Sequence, residues 1–311
     1  MFGFGPRYNY ERFTREMLTP EKFADAFDDA PGPGDRAPDF EARTLTGDRV
    51  RLSDFRGDKN VVLIFGSATC PMTAGSIGGI NQLAAELRGG DLEFLFVYVR
   101  EAHPGEKLRA HRDSDDKICA AELFREEEEI EMPVLVDDVR GTIHKQYGKL
   151  PNPAFLIDRS GRIAFRLLWA QPGPLAAAID ELLERQEERD VDHVIVQGGE
   201  DRSMPMTYPL FHSYRALERG GELAKEHFRD ALGVRGRIAM AASRIAEPVA
   251  ENIGPLAVAA AITGAVLAGG LVAGVQLRKR RLRKAQEPYR FPAMPAKPRT
   301  MTGTDYDPVG I

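Results

Sequence analysis

Apolar and polar positions divide the chain into short segments of differing period. Residues 61–65 form an unbroken apolar run, Val-Val-Leu-Ile-Phe, with the length and β-branched content of a buried strand. Residues 92–99 and 133–136 repeat it, while 72–87 and 116–128 carry apolar residues at helical spacing. Upstream, residues 40–43 and 49–52 alternate around Thr46-Gly47-Asp48, which predicts a β-hairpin leading to a turn at Asp54-Phe55-Arg56-Gly57. Downstream, a short helix over 140–147 precedes a second hairpin, 154–158 and 162–169 around Arg159-Ser160-Gly161, and then a helix over 174–186. Near the start, Thr19 supplies an N-cap and Pro20 an N1 proline for a short amphipathic helix bearing Phe23, Ala26 and Phe27, which Pro31-Gly32-Pro33-Gly34 ends.

This order predicts an α/β domain of thioredoxin-like type over residues 33–189, a central, largely parallel β-sheet flanked by helices, behind a helical extension over 1–32. Asn152-Pro153 stands before the first strand of the closing hairpin, where such a fold places a cis-proline, and an X-Pro bond permits one. Val191, Val194 and Val196 read as an edge strand. From 211 to 251 charged residues alternate with Leu, Ala and Ile at helical spacing, interrupted by Gly220-Gly221 and Gly233, so 190–252 reads as a linker and helical stalk. Residues 253–275, bounded by Ile253 and Val275, hold no charged side chain. As a helix they would reach about 35 Å against a hydrocarbon core of about 30 Å, which predicts one transmembrane helix over 253–276. The remainder, 277–311, is basic and proline-rich and is expected to be disordered.

Charge sharpens this picture. The net charge of −5 over 311 residues conceals a tail with nine Lys/Arg against three Asp/Glu beyond residue 277, and therefore an acidic body. The cluster Arg278-Lys279-Arg280-Arg281-Leu282-Arg283-Lys284 beside an apolar span points to anionic lipid headgroups rather than nucleic acid. The positive-inside tendency would put this cluster in the cytoplasm and the body outside. The first residues lack the basic and apolar regions of a signal peptide, which favours a single-pass, C-terminally anchored protein with its main domain facing the cytoplasm. Gly270-x-x-x-Gly274 permits close pairing of two spans and so a homodimer.

Two cysteines exclude a disulfide framework. Cys70 sits in Phe65-Gly66-Ser67-Ala68-Thr69-Cys70-Pro71, between a strand and the start of a helix, where unpaired backbone N–H groups and partial positive charge favour thiolate. Thr73 stands where a two-cysteine redox switch has its second thiol. Leu63 and Ser67 occupy the Pro and Thr positions of a peroxiredoxin signature, and Ala74 removes the copper pair Cys-x-x-x-Cys. The six histidines show no zinc spacing, so no metal or other cofactor is expected. A monothiol site remains.

That motif, together with Val97-Tyr98-Val99-Arg100-Glu101-Ala102-His103-Pro104, resembles the iodothyronine deiodinase family, whose members place selenocysteine where Cys70 stands. His111-Arg112, Asp116-Lys117, Ala120-Ala121, Pro133-Val134-Leu135-Val136-Asp137 and Tyr147-Gly148 follow in the family's order. The resemblance covers roughly residues 33–183. It implies Cys70 as nucleophile, with Glu101 and His103 relaying protons as a His/Glu pair near neutral pKa, and with Thr69, Pro71, Tyr98, His111 and Pro153 lining the substrate pocket. It implies a small-molecule substrate, a halogenated aromatic or another thiol-reducible compound, and an external thiol reductant. Cys119 either resolves a Cys70 sulfenyl species or is a buried small hydrophobe. The chain departs from the family at Ala68 and Met132, where relatives carry cysteines, and at Trp169-Ala170-Gln171-Pro172-Gly173, where they carry a basic segment. Thr73, Ala74 and Gly75, just after the nucleophile, put iodothyronine itself in doubt as substrate. A thiol peroxidase or disulfide reductase on the same site is the alternative enzyme reading. A redox-inert thioredoxin-like binding module on a membrane is the alternative outside catalysis.

Overall fold

A computed structural model describes residues 8–87 and 90–250. In chain order the elements are α1 (Pro20–Asp28), β1 (Glu41–Thr44), β2 (Arg49–Arg51), β3 (Asn60–Gly66), α2 (Pro71–Leu87), β4 (Leu92–Tyr98), α3 (Ser114–Glu127), β5 (Val134–Val136) and α4 (Thr142–Gln146). There follow β6 (Ala154–Ile157), β7 (Ile163–Leu167), α5 (Pro172–Arg189), β8 (Glu200–Asp201), α6 (Thr207–Gly220), α7 (Glu222–Leu232) and α8 (Val234–Ala250). The eight strands form one sheet in the order β2-β1-β5-β4-β3-β6-β7-β8.

Residues 61–65 are apolar without a break because β3 is covered on both faces. Val62 and Ile64 point into a core with Ile77 and Ile80 of α2, Phe124 of α3 and Ile179 of α5. Val61, Leu63 and Phe65 point the other way, onto Ile143 of α4, Tyr147 and Phe155. This is the predicted thioredoxin-like layering. The expectation of a largely parallel sheet is corrected. β3, β4 and β5 run parallel, but β1 pairs antiparallel with β2 and β5, and β6 with β3 and β7. Strands joined by tight turns cannot be parallel, and two hairpins make the sheet mixed. The edge strand comes later than expected, at β8, parallel to β7.

The predicted cis-proline is also corrected, since no peptide bond among the described residues is cis. Asn152 and Pro153 do brace the end of β3: Asn152 Nδ2 donates to the Phe65 carbonyl at 3.0 Å and the Phe65 N–H to the Pro153 carbonyl at 3.0 Å. A trans bond serves that pairing. At the N-terminal end Thr19 caps α1 as expected, accepting from the Lys22 amide at 3.4 Å.

The helical stalk is not an extension. α6 packs along α2, and α7 and α8 pack against α6. Amphipathic faces are satisfied equally by a partner in the same chain, and here the domain is that partner. The corner between α6 and α7 is seated closely: a Cβ on Gly105 would lie 2.2 Å from the Gly220 carbonyl oxygen, which accepts the Lys107 N–H at 3.1 Å. Among the described residues no helix is long and apolar enough to cross a membrane. The predicted span over 253–276 and the tail over 277–311 lie outside the described residues.

Candidate functional site

The site forms where the chain leaves the carboxyl ends of β3 and β4, because each exit loop supplies polar groups that the other needs. Ser67 Oγ accepts the Ala102 N–H at 3.2 Å, and Thr69 Oγ1 accepts the His103 N–H at 3.0 Å. The Thr69 N–H and hydroxyl both donate to Glu101 Oε2, at 3.0 and 2.6 Å. Gly66, just upstream, carries no side chain because a Cβ would meet Thr73 Cγ2 at 2.6 Å, so its absence lets α2 start against the strand. The nucleophile loop and the Glu101 loop therefore lock together through Thr69.

Glu101 is 2% exposed. Burial alone would raise its carboxyl, but His111, Thr69 and Tyr98 more than offset it and hold the group below the usual carboxylate range. Tyr98 Oη donates to Oε1 and accepts the Ala68 N–H at 3.3 Å. His111 Nε2 lies 3.4 Å from Oε1. Burial and the charge of Glu101 push the Tyr98 phenol well above its ordinary value. Tyr98, Glu101 and His111 thus form one buried proton-bearing cluster, joined to Cys70 through its neighbour Thr69.

His103 stands apart from that cluster, contrary to the expected Glu101/His103 pair near neutral pKa. Its ring lies between Phe13, with centroids 4.1 Å apart, and Phe228 of α7, at 5.2 Å. Nδ1 is buried without a hydrogen-bond partner. Burial pushes its pKa down to about 3, so the imidazole is neutral. It packs as an aromatic wedge between the N-terminal segment and the C-terminal helices.

Cys70 opens α2 as anticipated, yet its thiol is not acidified. Burial pushes it above its ordinary value, against the Thr73 hydroxyl and the amides of Thr73 and Met72, which favour the anion. The side chain is 2% exposed within a cluster of Phe27, Met72, Ala102, Leu150, Leu168 and Trp169. Phe23 of α1 packs on Trp169, ring centroids 5.2 Å apart. Trp169 Nε1 is buried without a partner. Pro71 and Pro153 are buried at the same end of β3 and α2.

The residues that sequence reasoning missed are those that close the site. Residues 8–13 lie across it: Tyr8 Oη pairs with His144 Nδ1 at 2.8 Å, Tyr10 Oη donates to the Ala102 carbonyl at 2.8 Å, and Arg100 Nη1 donates to the Tyr8 carbonyl at 2.8 Å. From the other side Arg219 of α6 donates to the Ala68 carbonyl at 3.1 Å and is held by Glu127 and Glu128 at the end of α3. No periodicity marks these residues; only aromatic content near the N-terminus hinted at them.

Cys119 is exposed on α3, which corrects the buried-hydrophobe reading. A resolving role would require Cys70 to leave its enclosure. In the native chain an alkylating reagent should modify Cys119 promptly and Cys70 about 100-fold more slowly, since the second thiol is both protonated and shut away. Replacing Tyr10 and Phe13 together by Ala should accelerate Cys70 alone; equal rates in the native chain, followed by mass spectrometry, would contradict a closed site. Among the described residues no group of His, Cys, Asp or Glu is arranged to hold a metal ion.

Several known proteins are similar to this chain in sequence or in fold. The type I iodothyronine deiodinase of Xenopus laevis is 27% identical over 171 residues, 52% of this chain and 66% of that protein. The thiol-disulfide oxidoreductase ResA of Bacillus thuringiensis is 28% identical over 131 residues, 42% of this chain and again 66% of its own length. This chain therefore spans just under two thirds of either relative. Among solved structures, a thiol:disulfide interchange protein of the thioredoxin family from Chlorobium tepidum superposes with a TM-score of 0.38 at 16% identity, covering 49% of this chain and 96% of that one. The family model for iodothyronine deiodinase matches residues 16–190, more than half of the chain and the whole of the sheet except β8, so the chain belongs to the iodothyronine deiodinase family.

Proposed function

We propose that the protein is a thiol oxidoreductase of deiodinase type, with Cys70 as nucleophile and the Tyr98/Glu101/His111 cluster as its proton source. The observation that carries this reading is the buried Glu101 carboxylate, hydrogen-bonded to Thr69 beside the nucleophile and to Tyr98 at its other oxygen, with His111 Nε2 3.4 Å from that oxygen. A structural carboxylate has little reason to sit there, since burying an ion is costly without a task. His103 serves in this reading as packing rather than as an acid.

The chemistry balances as follows. The Cys70 sulfur, giving up its thiol proton to the Glu101 cluster, attacks the halogen of an aromatic carbon–halogen bond, forming a sulfur–halogen bond and leaving the pair of electrons on the ring carbon. That carbanion takes a proton delivered by His111, with Glu101 beside the imidazole and Tyr98 holding the carboxylate in place. An external thiol displaces halide to give a mixed disulfide, and a second thiol restores Cys70 while both external thiols leave as a disulfide. No resident cofactor is needed. The enclosure of Phe23, Phe27 and Trp169 suits an aromatic ring, and the unpartnered Trp169 Nε1 offers a hydrogen bond to it. In the same reading, residues 253–275 anchor the protein in a membrane, with the described domain on the cytoplasmic side.

Halide release and peroxide consumption, each driven by a dithiol, test the proposal. Halide release abolished in Cys70→Ser and reduced about 100-fold in Tyr98→Phe is the expected result. Peroxide consumption without halide release would favour the peroxidase alternative. Full activity of Cys70→Ser in both assays would end the catalytic reading.

A further inference from the structure

α8 has two faces of different character. Ala239, Met240, Ser243 and Ala246 are buried, with Ala239 and Met240 packed in a cluster that includes Leu217 of α6 and Phe228 of α7. Ser243 Oγ accepts the Tyr214 N–H at 2.9 Å and fixes the helix in register. The opposite face carries Val234, Ile238 and Ile245, which are 69%, 56% and 44% exposed, with exposed Ala241 between them. Their spacing of four, three and four residues sets them in one line along the helix. Among the described residues Val234 and Ile238 are the most exposed branched aliphatic side chains.

Arginines border this line on both sides. At about 100° per residue, Arg235 falls on one flank, and Arg237 and Arg244 on the other. All three are exposed, and no Asp or Glu occurs from 234 to 246. An apolar stripe framed by guanidinium groups is the pattern of a helix lying in a membrane interface, where the stripe enters the acyl boundary and the arginines reach up to phosphate. The chain then continues, three residues after α8, into 23 residues with no charged side chain and a cluster of six Lys/Arg.

We infer that α8 is an interfacial helix that lays the domain against a bilayer containing anionic lipid, through Val234, Ile238, Ala241 and Ile245 and the arginines beside them. Two observations choose a bilayer over a second copy of the chain. Three like-charged arginines bordering the stripe would face one another across a two-fold contact, whereas anionic headgroups complement them. The chain itself also delivers this helix to the segment that needs a hydrocarbon environment. Because α8 packs on α6, and α6 on α2, docking would fix the orientation of the Cys70 end of α2 relative to the membrane.

The inference rests on the membrane reading of residues 253–275, and the experiment separates the two. The full chain carrying Cys119→Ser and Ile238→Cys, labelled with bimane at 238, is reconstituted in phosphatidylcholine/phosphatidylglycerol vesicles with bromine on the acyl chains. Flotation reports the anchor, and bimane quenching reports α8. The expected result is flotation with strong quenching. Quenching should weaken by about threefold in pure phosphatidylcholine, or when Arg235, Arg237 and Arg244 are all changed to Glu, while flotation persists. Flotation without quenching would overturn the docking of α8 and leave the anchor standing. Flotation with 238-to-238 cross-linking and no quenching would overturn it in favour of a second copy. A chain that does not float would overturn both.

Discussion

Glu101→Leu is expected to lower folding stability by about 3–5 kcal/mol, because it removes the acceptor of three inward-pointing groups and offers them nothing else. The Thr69 N–H, the Thr69 hydroxyl and the Tyr98 hydroxyl would be stranded in a site closed to water, and His111 Nε2 would lose its polar neighbour at 3.4 Å. Glu101→Gln should cost less, about 2 kcal/mol, yet not be neutral. Both carboxylate oxygens receive donors, and an amide presents its own N–H₂ to one pair of them. Urea titration should show the midpoint falling with the slope unchanged. A Leu variant within 1 kcal/mol of the native protein would mean that the donors find partners elsewhere. Because the same carboxylate holds Thr69 beside Cys70, the Gln variant should lose turnover well beyond its loss of stability.

Mild acid should destabilise the protein, and His103 should account for much of the slope. Its pKa is about 3 in the folded chain and about 6.5 when unfolded. Between those values the unfolded state binds a proton that the native state refuses, so stability rises with pH. The contribution is fully present above pH 6.5 and is lost as the pH falls toward 3, on the order of 5 kcal/mol in all. His144, held well below its ordinary value by burial, and His212, held at about 4, act in the same direction. Glu101, whose pKa is depressed, adds its own loss only below the ordinary carboxylate range. His103→Leu keeps an apolar wedge between Phe13 and Phe228. It should flatten the stability profile near pH 5 by about 1.4 kcal/mol per pH unit, the slope of one proton. Identical profiles for the two proteins would show that His103 protonates freely in the folded state.

Much of the fold was legible because strands buried on both faces, capped helices and tight turns leave short-range marks. Val61 to Phe65, the Thr19-Pro20 cap and the Arg159-Ser160-Gly161 turn each predict their element from a few neighbouring residues. The direction of the strands was less legible, since it depends on which strands a hairpin brings together. In the site, Cys70, Tyr98, Glu101 and His111 were all named from the sequence, but the partnership was misassigned. His103 is two residues from Glu101 and His111 ten, and proximity along the chain favoured the imidazole that packs elsewhere. The turn after β4 sends the His103 ring outward between two phenyl groups, a consequence of packing that no spacing encodes. For the same reason the thiol of Cys70 is raised rather than lowered: its place at a helix start is visible in the sequence, and the aromatic enclosure that overrides it is not. The helices after residue 206 were equally visible as helices, while the surface they cover was not.

The contact between Gly105 and Gly220 bears on where this protein can be cut. The family match stops at 190, and a conventional truncation would follow it. Such a cut would not fall between modules. It would withdraw the guanidinium from the Ala68 carbonyl, the Phe228 ring from His103 and the helix corner seated on Gly105, leaving the nucleophile loop without one wall. The smallest autonomous piece of this molecule therefore extends at least through α7, and a fragment library or chimera built on the shorter boundary would test a different object.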